Sequence, residues 1–475
     1  MRKTLEEHYG VSKAVLDLGD QAEARCQEVF QTLEDQSSYW ELRLLQAFQE
    51  EKFSTPCLGP TTGYGTDDLG REALERILAR ALGAEKTLLR MQFSSGTHVL
   101  ATCLRGLLRP GNELLVASGE VYDTLHATIG ENSYAKAVAA METAAAGMAV
   151  PAPSADPALT GSSATDSVSL SASVSPSQSS HRTAFTRSGD VCSLEDQGVS
   201  CRLIPLKDNR HLDLEATLAA VNEHTGLFYI QKSRGYSTRP TLTNEEIHDF
   251  CEALRKSHPD IPIMVDNCYG ELINPHYPMM GADIIAGSLI KNAGGGIART
   301  GAYVAGKATL VDLVSMAFTA SNVGGEIGPS LGCNREIGLG LFLAPRTVLQ
   351  AVKTAVFTAS LFDLAGYGTS PAFNDPRNDI VEAVQLGTEE KLIAFVQAIQ
   401  KAAPVDSMYA PIPAPQAGYD CQIIMASGSF TSGSSIELSA DGPMREPYQV
   451  FMQGALTYTC GKLGALLALD AVQAL

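Results

Sequence analysis

Short apolar runs alternate with helical segments from about residue 84 to residue 345, and this alternation restricts the fold more than any other feature. Runs such as "GLFYIQ", "IPIMVDN" and "DIIAGSLI" are separated by segments such as "LEATLAAVNEH" and "TNEEIHDFCEALRKS", whose apolar residues have helical spacing. Strands that alternate with helices are typical of an open, mainly parallel sheet with helices on both faces. We therefore predict an α/β fold with a large, mainly parallel sheet domain and a smaller C-terminal α/β domain.

The sequence predicts three structural parts and one insertion. Residues 1–60 have helical spacing of apolar residues and are predicted to form an N-terminal helical arm. The large domain is predicted at 61–345 and the small domain at 346–475, with a long helix from about Asn334 to Leu364. Residues 136–196 are dominated by Ala, Ser, Pro and Thr. Such a segment buries too little apolar surface to offset its ordering entropy, so we predict a disordered insertion there.

The composition is that of a globular protein with an excess of acidic residues. Hydrophobic residues make up 45% and charged residues 19% of the chain, and the formal net charge is -18 at pH 7. This charge repels polyanions on average, which argues against nucleic-acid and anionic-membrane partners. The N-terminus lacks the apolar core of a signal peptide, and the ten cysteines are scattered without CxxC pairs. We expect a cytoplasmic protein with reduced thiols and without a metal site.

One lysine and one aspartate follow neighbouring buried strands. Lys291 ends the apolar run "ADIIAGSLIK" shortly before three glycines, and Asp266 ends the preceding run "IPIMVD". The carboxyl ends of neighbouring parallel strands meet at the sheet edge where ligands bind. The pair suits pyridoxal 5′-phosphate (PLP), because the lysine amine forms a Schiff base with the aldehyde and the carboxylate keeps the pyridine nitrogen protonated. A buried salt bridge between the strands is the structural alternative, but it does not account for the glycines.

Small polar residues offer a site for the phosphate group of that cofactor. Ser95, Gly96 and Thr97 follow a strand and open a helix, whose free N–H groups and dipole suit a dianion. Ser288, three residues before Lys291, is a second donor. Because Ser and Thr are also common at ordinary helix starts, this pattern gains weight only together with the lysine and the aspartate.

Two further residues are candidates for contacts with the cofactor ring and the substrate. Tyr122, in "GEVYDTL", offers a flat aromatic face for the pyridine ring, although an ordinary half-buried tyrosine has the same pattern. Arg445, in "SADGPMREPY", follows a run with the alternation of a strand. Its planar guanidinium suits bidentate binding of the carboxylate of an amino-acid substrate.

A set of motifs in the same order resembles a known family. The motifs are "YGTDDLGRE", "SSGTHVLA", "GEVYDTL", "QKSRGYSTRPTLTNEEI", "VDNCYGEL", "ADIIAGSLIKNAGGGIARTGAYVAGK", "GGEIGPSLGCNRE", "GLFLAP" and "SIELSADGPMREPY". From about residue 10 to 465 the sequence is similar to the methionine γ-lyase-like family, also labelled aluminium-resistance proteins. That family belongs to the Cys/Met-metabolism branch of fold-type I PLP-dependent enzymes. The insertion near 135–196 is the main departure.

The resemblance implies a role for each matching residue. Lys291 is implied as the residue that carries PLP, and Asp266 as the partner of the pyridine nitrogen. The residues implied to hold the phosphate or stack on the ring are Gly96, Thr97, Ser288 and Tyr122. The resemblance also implies a homodimer or homotetramer with shared active sites, in which Tyr64 and Arg71 reach the phosphate in a neighbouring subunit.

The implied reaction is that of a carbon–sulfur lyase. It acts on amino acids of the cystathionine, methionine or cysteine type, with β- or γ-elimination giving a keto acid, ammonia and a thiol. Lys291 removes the α-proton, and either Lys291 or Tyr122 could remove the second proton that γ-elimination requires. Two alternatives stay open, namely a PLP-dependent replacement reaction on the same residues and a PLP-binding stress protein without a catalytic role. NAD binding is disfavoured, because "GGGIARTG" lacks the GxGxxG spacing.

Overall fold

The computed structural model describes residues 1–148, 192–416, 419, 421–431 and 433–475. In these residues the α-helices are α1 Arg2–Glu7, α2 Lys13–Arg25, α3 Gln27–Glu50, α4 Leu69–Leu82, α5 Gly96–Leu107, α6 Asp123–Ile129, α7 Glu131–Met148, α8 Leu214–Ala220, α9 Asn244–Ser257, α10 Ala308–Phe318, α11 Asn334–Leu364, α12 Glu389–Lys401 and α13 Tyr458–Gln473. The strands are β1 Lys86–Arg90, β2 Glu113–Val116, β3 Ser200–Leu203, β4 Thr225–Gln231, β5 Ile263–Asp266, β6 Ile284–Ser288, β7 Ala302–Gly306, β8 Gly368–Ser370, β9 Val381–Gln385, β10 Ala414–Pro415, β11 Gln422–Ala426, β12 Ser439–Pro443 and β13 Gln449–Gln453. None of the helices in these ranges is both long and apolar enough to cross a bilayer.

A seven-stranded sheet forms the larger half of the molecule. Its strand order is β1-β7-β6-β5-β4-β2-β3. The five strands from β6 to β3 are parallel to their neighbours, whereas β7 runs antiparallel to both β6 and β1. Strands β5 and β6 are buried along their whole length, as expected for a parallel sheet covered by helices. The predicted large, mainly parallel sheet is confirmed.

A second, six-stranded sheet forms the C-terminal portion. Its order is β10-β11-β12-β13-β9-β8, and every neighbouring pair is antiparallel. Helices α12 and α13 pack on each other, and α12 packs on β11 and β12. Helix α11 has the bounds predicted for the long helix and contains Pro345. The predicted domain boundary after residue 345 therefore falls inside this helix, and the division into domains stays a prediction.

The N-terminal helices pack on α11. Trp40 is 1% exposed, and Leu44 in the same helix is fully buried. The hydroxyl of Ser37 donates to the carbonyl of Pro345 over 3.2 Å. This hydrogen bond connects α3 to α11 at the proline. The helical spacing read at residues 1–60 thus corresponds to helices that contact the body of their own chain.

The predicted disordered insertion at 136–196 needs correction at both ends. Helix α7 continues to Met148, because the start of this segment is rich in alanine, the residue with the highest helix propensity. At the other end, Ser193 and Leu194 are buried, and the amide of Leu194 donates to the carbonyl of Thr128 over 2.8 Å. The remaining part of the prediction, residues 149–191, lies outside the described residues.

Candidate active site

A cavity of ≈ 250 Å³ lies at the edge where strands β4, β5 and β6 end. Open parallel sheets bind their ligands at this edge, because loops and helix N-termini converge there. The lining includes both residues that the strand-end pattern singles out, Asp266 and Lys291, and the start of helix α5. The remaining polar lining residues are Tyr122, Thr124, Gln231, Ser233, Cys268, Tyr269, Tyr419 and Ser434.

Lys291 presents its amine to this cavity. Its Nζ donates to the hydroxyl oxygen of Tyr269 over 2.6 Å and to the carbonyl oxygen of Ser434. The Nζ also lies 4.4 Å from the centre of the Tyr269 ring. Burial lowers the pKa of Lys291 to about 8, against the opposing effect of the Asp441 carboxylate. The neutral fraction of this amine near neutral pH is therefore larger than that of an exposed lysine, as a nucleophile or base requires.

Asp266 is the last residue of β5 and has a separate set of partners. Its Oδ1 accepts from the backbone amide of Cys268 over 3.0 Å, and its Oδ2 accepts from the hydroxyl of Tyr229 over 3.4 Å. Burial raises the pKa of Asp266, because the ionised carboxylate is poorly solvated there. A cation bound beside it would favour the ionised form. Because Asp266 and Lys291 are each hydrogen-bonded to other groups, the structure does not favour the salt-bridge alternative.

The start of α5 and the end of β6 form a polar cradle. The side chain of Ser95 caps α5 by accepting from the amide of His98 over 3.1 Å. The Ser288 hydroxyl is buried without a hydrogen-bond partner among the described residues. A Cβ at Gly96 would lie 3.7 Å from the Cβ of Ser288, so glycine keeps the space between them open. Thr97 is hydrogen-bonded to Thr124 over 2.7 Å. An unpartnered hydroxyl facing a helix N-terminus fits a phosphate group.

Tyr122 immediately precedes α6 and lines the same cavity. Its backbone amide donates to the side chain of Gln231 over 2.6 Å, and its hydroxyl is hydrogen-bonded to that of Tyr419. The ring centres of Tyr122 and Tyr236 lie 5.7 Å apart in a T-shaped arrangement. Tyr122 is thus held from both ends beside Asp266 and Lys291, which is compatible with stacking on a planar ring.

Arg445 lies outside this cavity. The side chain is exposed and lines a neighbouring cavity of ≈ 540 Å³, which also borders on Arg234. Tyr122 lines both cavities. The predicted contact of Arg445 with the substrate carboxylate stays a prediction.

Neither Tyr64 nor Arg71 lines the cavity of Lys291 in the same chain. Tyr64 is 71% exposed. Arg71 is buried, and its guanidinium donates to the carbonyl oxygens of Gly65, of Gly328 over 3.1 Å and of Glu326 over 3.5 Å. These contacts join the segment that precedes α4 to the segment that precedes α11. The predicted role of both residues at a neighbouring subunit's phosphate stays a prediction.

Sequence reasoning missed three residues around the lysine. Tyr269 stands in the motif "VDNCYGEL", three residues after Asp266, so its closeness to the site could have been inferred from the strand end. Ser434 and Asp441 come from the second sheet region, where no local pattern indicates which residues face Lys291. Asp441 accepts from the Ser434 hydroxyl over 2.9 Å, and burial raises its pKa to about 6.

Comparison with known proteins shows which family the chain belongs to. The sequence profile described as methionine gamma-lyase matches residues 15–144 and 156–473. The chain belongs to the methionine γ-lyase family. A candidate cystathionine β-lyase involved in aluminium resistance from Clostridium acetobutylicum has a TM-score of 0.84 at 35% identity, covering 99% of this chain and 98% of that chain. A carbon–sulfur lyase involved in aluminium resistance from Clostridium novyi has a TM-score of 0.82 at 35% identity, covering 98% of both chains.

This methionine γ-lyase family member is also similar to two further proteins. The uncharacterized protein YnbB of Bacillus subtilis is 36% identical over 454 residues, which is 95% of each chain. The pyridoxal-5′-phosphate-dependent protein YhfS of Escherichia coli has a TM-score of 0.54 at 14% identity and covers 92% of this chain and 96% of its own. At that identity the likeness concerns the fold alone. The predicted family and the fold-type I architecture are confirmed.

Proposed function

We propose that this protein is a PLP-dependent carbon–sulfur lyase that eliminates a thiol from a sulfur-containing amino acid. One observation carries the proposal: Lys291 and Asp266 line a single cavity together with the N-terminus of α5. An amine with a lowered pKa, a buried carboxylate and a phosphate cradle are the groups that PLP requires. Membership in the methionine γ-lyase family supports the class of reaction.

Each part of the cofactor has a proposed partner. Lys291 would hold it covalently, Asp266 would face its ring nitrogen, and Tyr122 would stack on the ring. The start of α5 and the Ser288 hydroxyl would bind the phosphate. PLP supplies an electron sink that withdraws charge from the substrate α-carbon.

The chain's own residues account for the proton transfers. The neutral amine of Lys291, once released, accepts the α-proton of the substrate, because burial holds its pKa at about 8. Burial also raises the pKa of Tyr122 well above its ordinary value, so its hydroxyl stays protonated and can donate to the departing thiolate. The proposed leaving group therefore departs on the side of the cavity that Tyr122 closes.

We extend the proposal to a cytoplasmic homo-oligomer with shared sites. The exposed ring of Tyr64 is available to a neighbouring subunit. Its test is the molecular mass in solution, together with a cofactor-binding measurement on Tyr64→Phe.

The decisive experiment locates the cofactor and then identifies the products. The purified protein, incubated with PLP, should absorb at about 420 nm, and borohydride reduction followed by peptide mapping should place the pyridoxyl group on Lys291. Incubation with cystathionine, methionine and cysteine should then release a keto acid and a thiol. A tag on any other lysine would refute the proposal. Products that incorporate an added nucleophile, without a keto acid, would identify a replacement reaction instead.

A further inference from the structure

The amine of Lys291 has two hydrogen-bond acceptors, and they come from different parts of the fold. The hydroxyl oxygen of Tyr269 belongs to the loop after β5 and lies 2.6 Å from Nζ. The carbonyl oxygen of Ser434 belongs to the segment between β11 and β12 and also accepts from Nζ. The sequence motifs by themselves indicate a role for neither residue.

Two acceptors match the chemistry of a neutral amine. Such an amine has two N–H bonds and one lone pair in a tetrahedral arrangement, and only the lone pair can accept a proton. When both N–H bonds are held by acceptors, the direction of the lone pair is fixed. A fixed lone pair removes the orientational freedom that a long, flexible lysine side chain would otherwise have in the cavity.

The backbone of Tyr269 is held in an unusual conformation that brings its hydroxyl to the amine. Its φ is +70°, which is disfavoured for a bulky residue and persists only where the surroundings impose it. The side chain of Asn292 donates to the carbonyl of Tyr269 over 2.9 Å and so connects this loop to the residue after Lys291. Burial raises the pKa of Tyr269 well above its ordinary value, so the hydroxyl stays neutral and does not compete with Lys291 as a base.

We propose that Tyr269 is a positioning residue whose hydroxyl oxygen, together with the Ser434 carbonyl, directs the lone pair of the released Lys291 amine toward the substrate α-carbon. This inference rests on the proposed function. In the step that it serves, the Cα–H bond breaks, its proton joins Nζ, and the electron pair stays with the substrate. Tyr269 keeps its own proton throughout.

The first test measures proton removal without elimination. Alanine has no leaving group, so the exchange of its α-proton in D₂O, followed by NMR, reports only on the base. Tyr269→Phe keeps the ring and loses the acceptor, and its exchange rate should fall roughly 10- to 100-fold while the absorption band and the affinity for alanine stay unchanged. An exchange rate within about twofold of the wild-type rate would overturn the inference.

Tyr277→Phe is the matched control. Tyr277 is also a non-glycine residue with positive φ, at +50°, and follows the same strand, but it is 47% exposed and stacks on His248. This variant should exchange the α-proton at the wild-type rate. Equal losses in Tyr277→Phe and Tyr269→Phe would mean that loop conformation is responsible, and this result would also overturn the inference.

The second test uses the protein without PLP, so it does not depend on turnover. Acetic anhydride labels neutral amines, and mass spectrometry of the Lys291 peptide at a series of pH values gives a labelling midpoint. The groups that face this amine are Tyr269, Asp441, Cys268 and Glu271. Loss of the Tyr269 acceptor removes a hydrogen bond to the ammonium form, so the midpoint should move to lower pH in Tyr269→Phe. A merely structural loss of packing would admit water and move the midpoint to higher pH.

The outcomes separate this inference from the proposed function. A wild-type protein without the absorption band would refute the proposed function, while the labelling of Lys291 would still test the role of Tyr269. If Tyr269→Phe does not fold, 3-fluorotyrosine placed at position 269 weakens the same oxygen as an acceptor. The midpoint must again fall, and an unchanged or higher midpoint would refute the role of Tyr269.

Discussion

Two lysines follow strands of the same sheet, and they differ in what surrounds their amines. Lys232 comes directly after β4 and is 1% exposed, with Nζ 3.3 Å from the carbonyl of Gly270 and 3.4 Å from the side chain of Asn267. Lys291 comes shortly after β6 and lines the cavity at the strand ends. Burial lowers the pKa of both lysines to about 8.

The comparison shows that a lowered pKa does not by itself identify a reactive lysine. Desolvation acts on both amines alike, but a molecule can approach only an amine that faces open space. The amine of Lys232 is enclosed by the loop after β5, whereas the amine of Lys291 shares its cavity with the start of α5. Access and the neighbouring groups thus distinguish two side chains with the same acidity.

The largest expected effect comes from removing each lysine in turn. Lys291→Ala should lose the borohydride tag and reduce turnover by about 10³-fold or more, because the proposed cofactor anchor and the proposed base are both lost. Lys232→Met should keep the tag, the absorption band and most of the turnover. Peptide mapping and product assays on both variants measure the difference. Loss of the tag in Lys232→Met would contradict the conclusion that only Lys291 is the reactive lysine of this pair.

A smaller effect is expected from the carboxylate that faces only one of the two lysines. Among nearby charges, Asp441 has the largest effect in raising the pKa of Lys291, whereas Glu271, Asp379 and Glu245 raise that of Lys232. Asp441→Asn should therefore lower the labelling midpoint of Lys291 in the PLP-free protein, whereas the enclosed amine of Lys232 should stay unlabelled in both proteins. An unchanged Lys291 midpoint, or labelling of Lys232, would contradict this difference between the two lysines.

The smallest effect concerns stability and the carboxyl group that influences both lysines. Burial raises the pKa of Glu271 from 4.5 to about 8, so in this range the folded chain binds more protons than the unfolded chain. Its contribution to the free energy of unfolding therefore falls as pH rises from about 4.5 to about 8. Glu271→Gln should flatten this decrease in urea-unfolding measurements on the PLP-free protein. Glu223→Gln is the control, because the Glu223 side chain is 88% exposed, and a change of slope there would contradict the assignment.

The sequence was sufficient for the parts of the site that depend on strand ends. Asp266 and Lys291 could be predicted as neighbours because β5 and β6 are adjacent and parallel, with Asp266 in register with Ala286. The approach of Ser288 to Gly96 follows from the same sheet edge. For the fold, the alternation of strands and helices was enough to predict the parallel part of the large sheet.

The other features depend on contacts or backbone angles that no local sequence pattern indicates. Tyr269 reaches the amine only through a backbone angle that sequence patterns do not predict for a tyrosine. Ser434 is 143 residues away from Lys291 and belongs to the other sheet region. Residues 136–148 were predicted to be disordered, although they continue α7, because an alanine-rich sequence is compatible with both low complexity and helix. The carbonyl contacts of Arg71 likewise depend on a distant segment.

The position of Ser434 along the chain also has a consequence for biosynthesis. A ribosome completes the seven-stranded sheet with β7 well before it adds the segment between β11 and β12. The nascent protein thus carries the Lys291 amine while the Ser434 carbonyl acceptor is still absent. Full orientation of the amine must therefore wait for one of the later stages of translation.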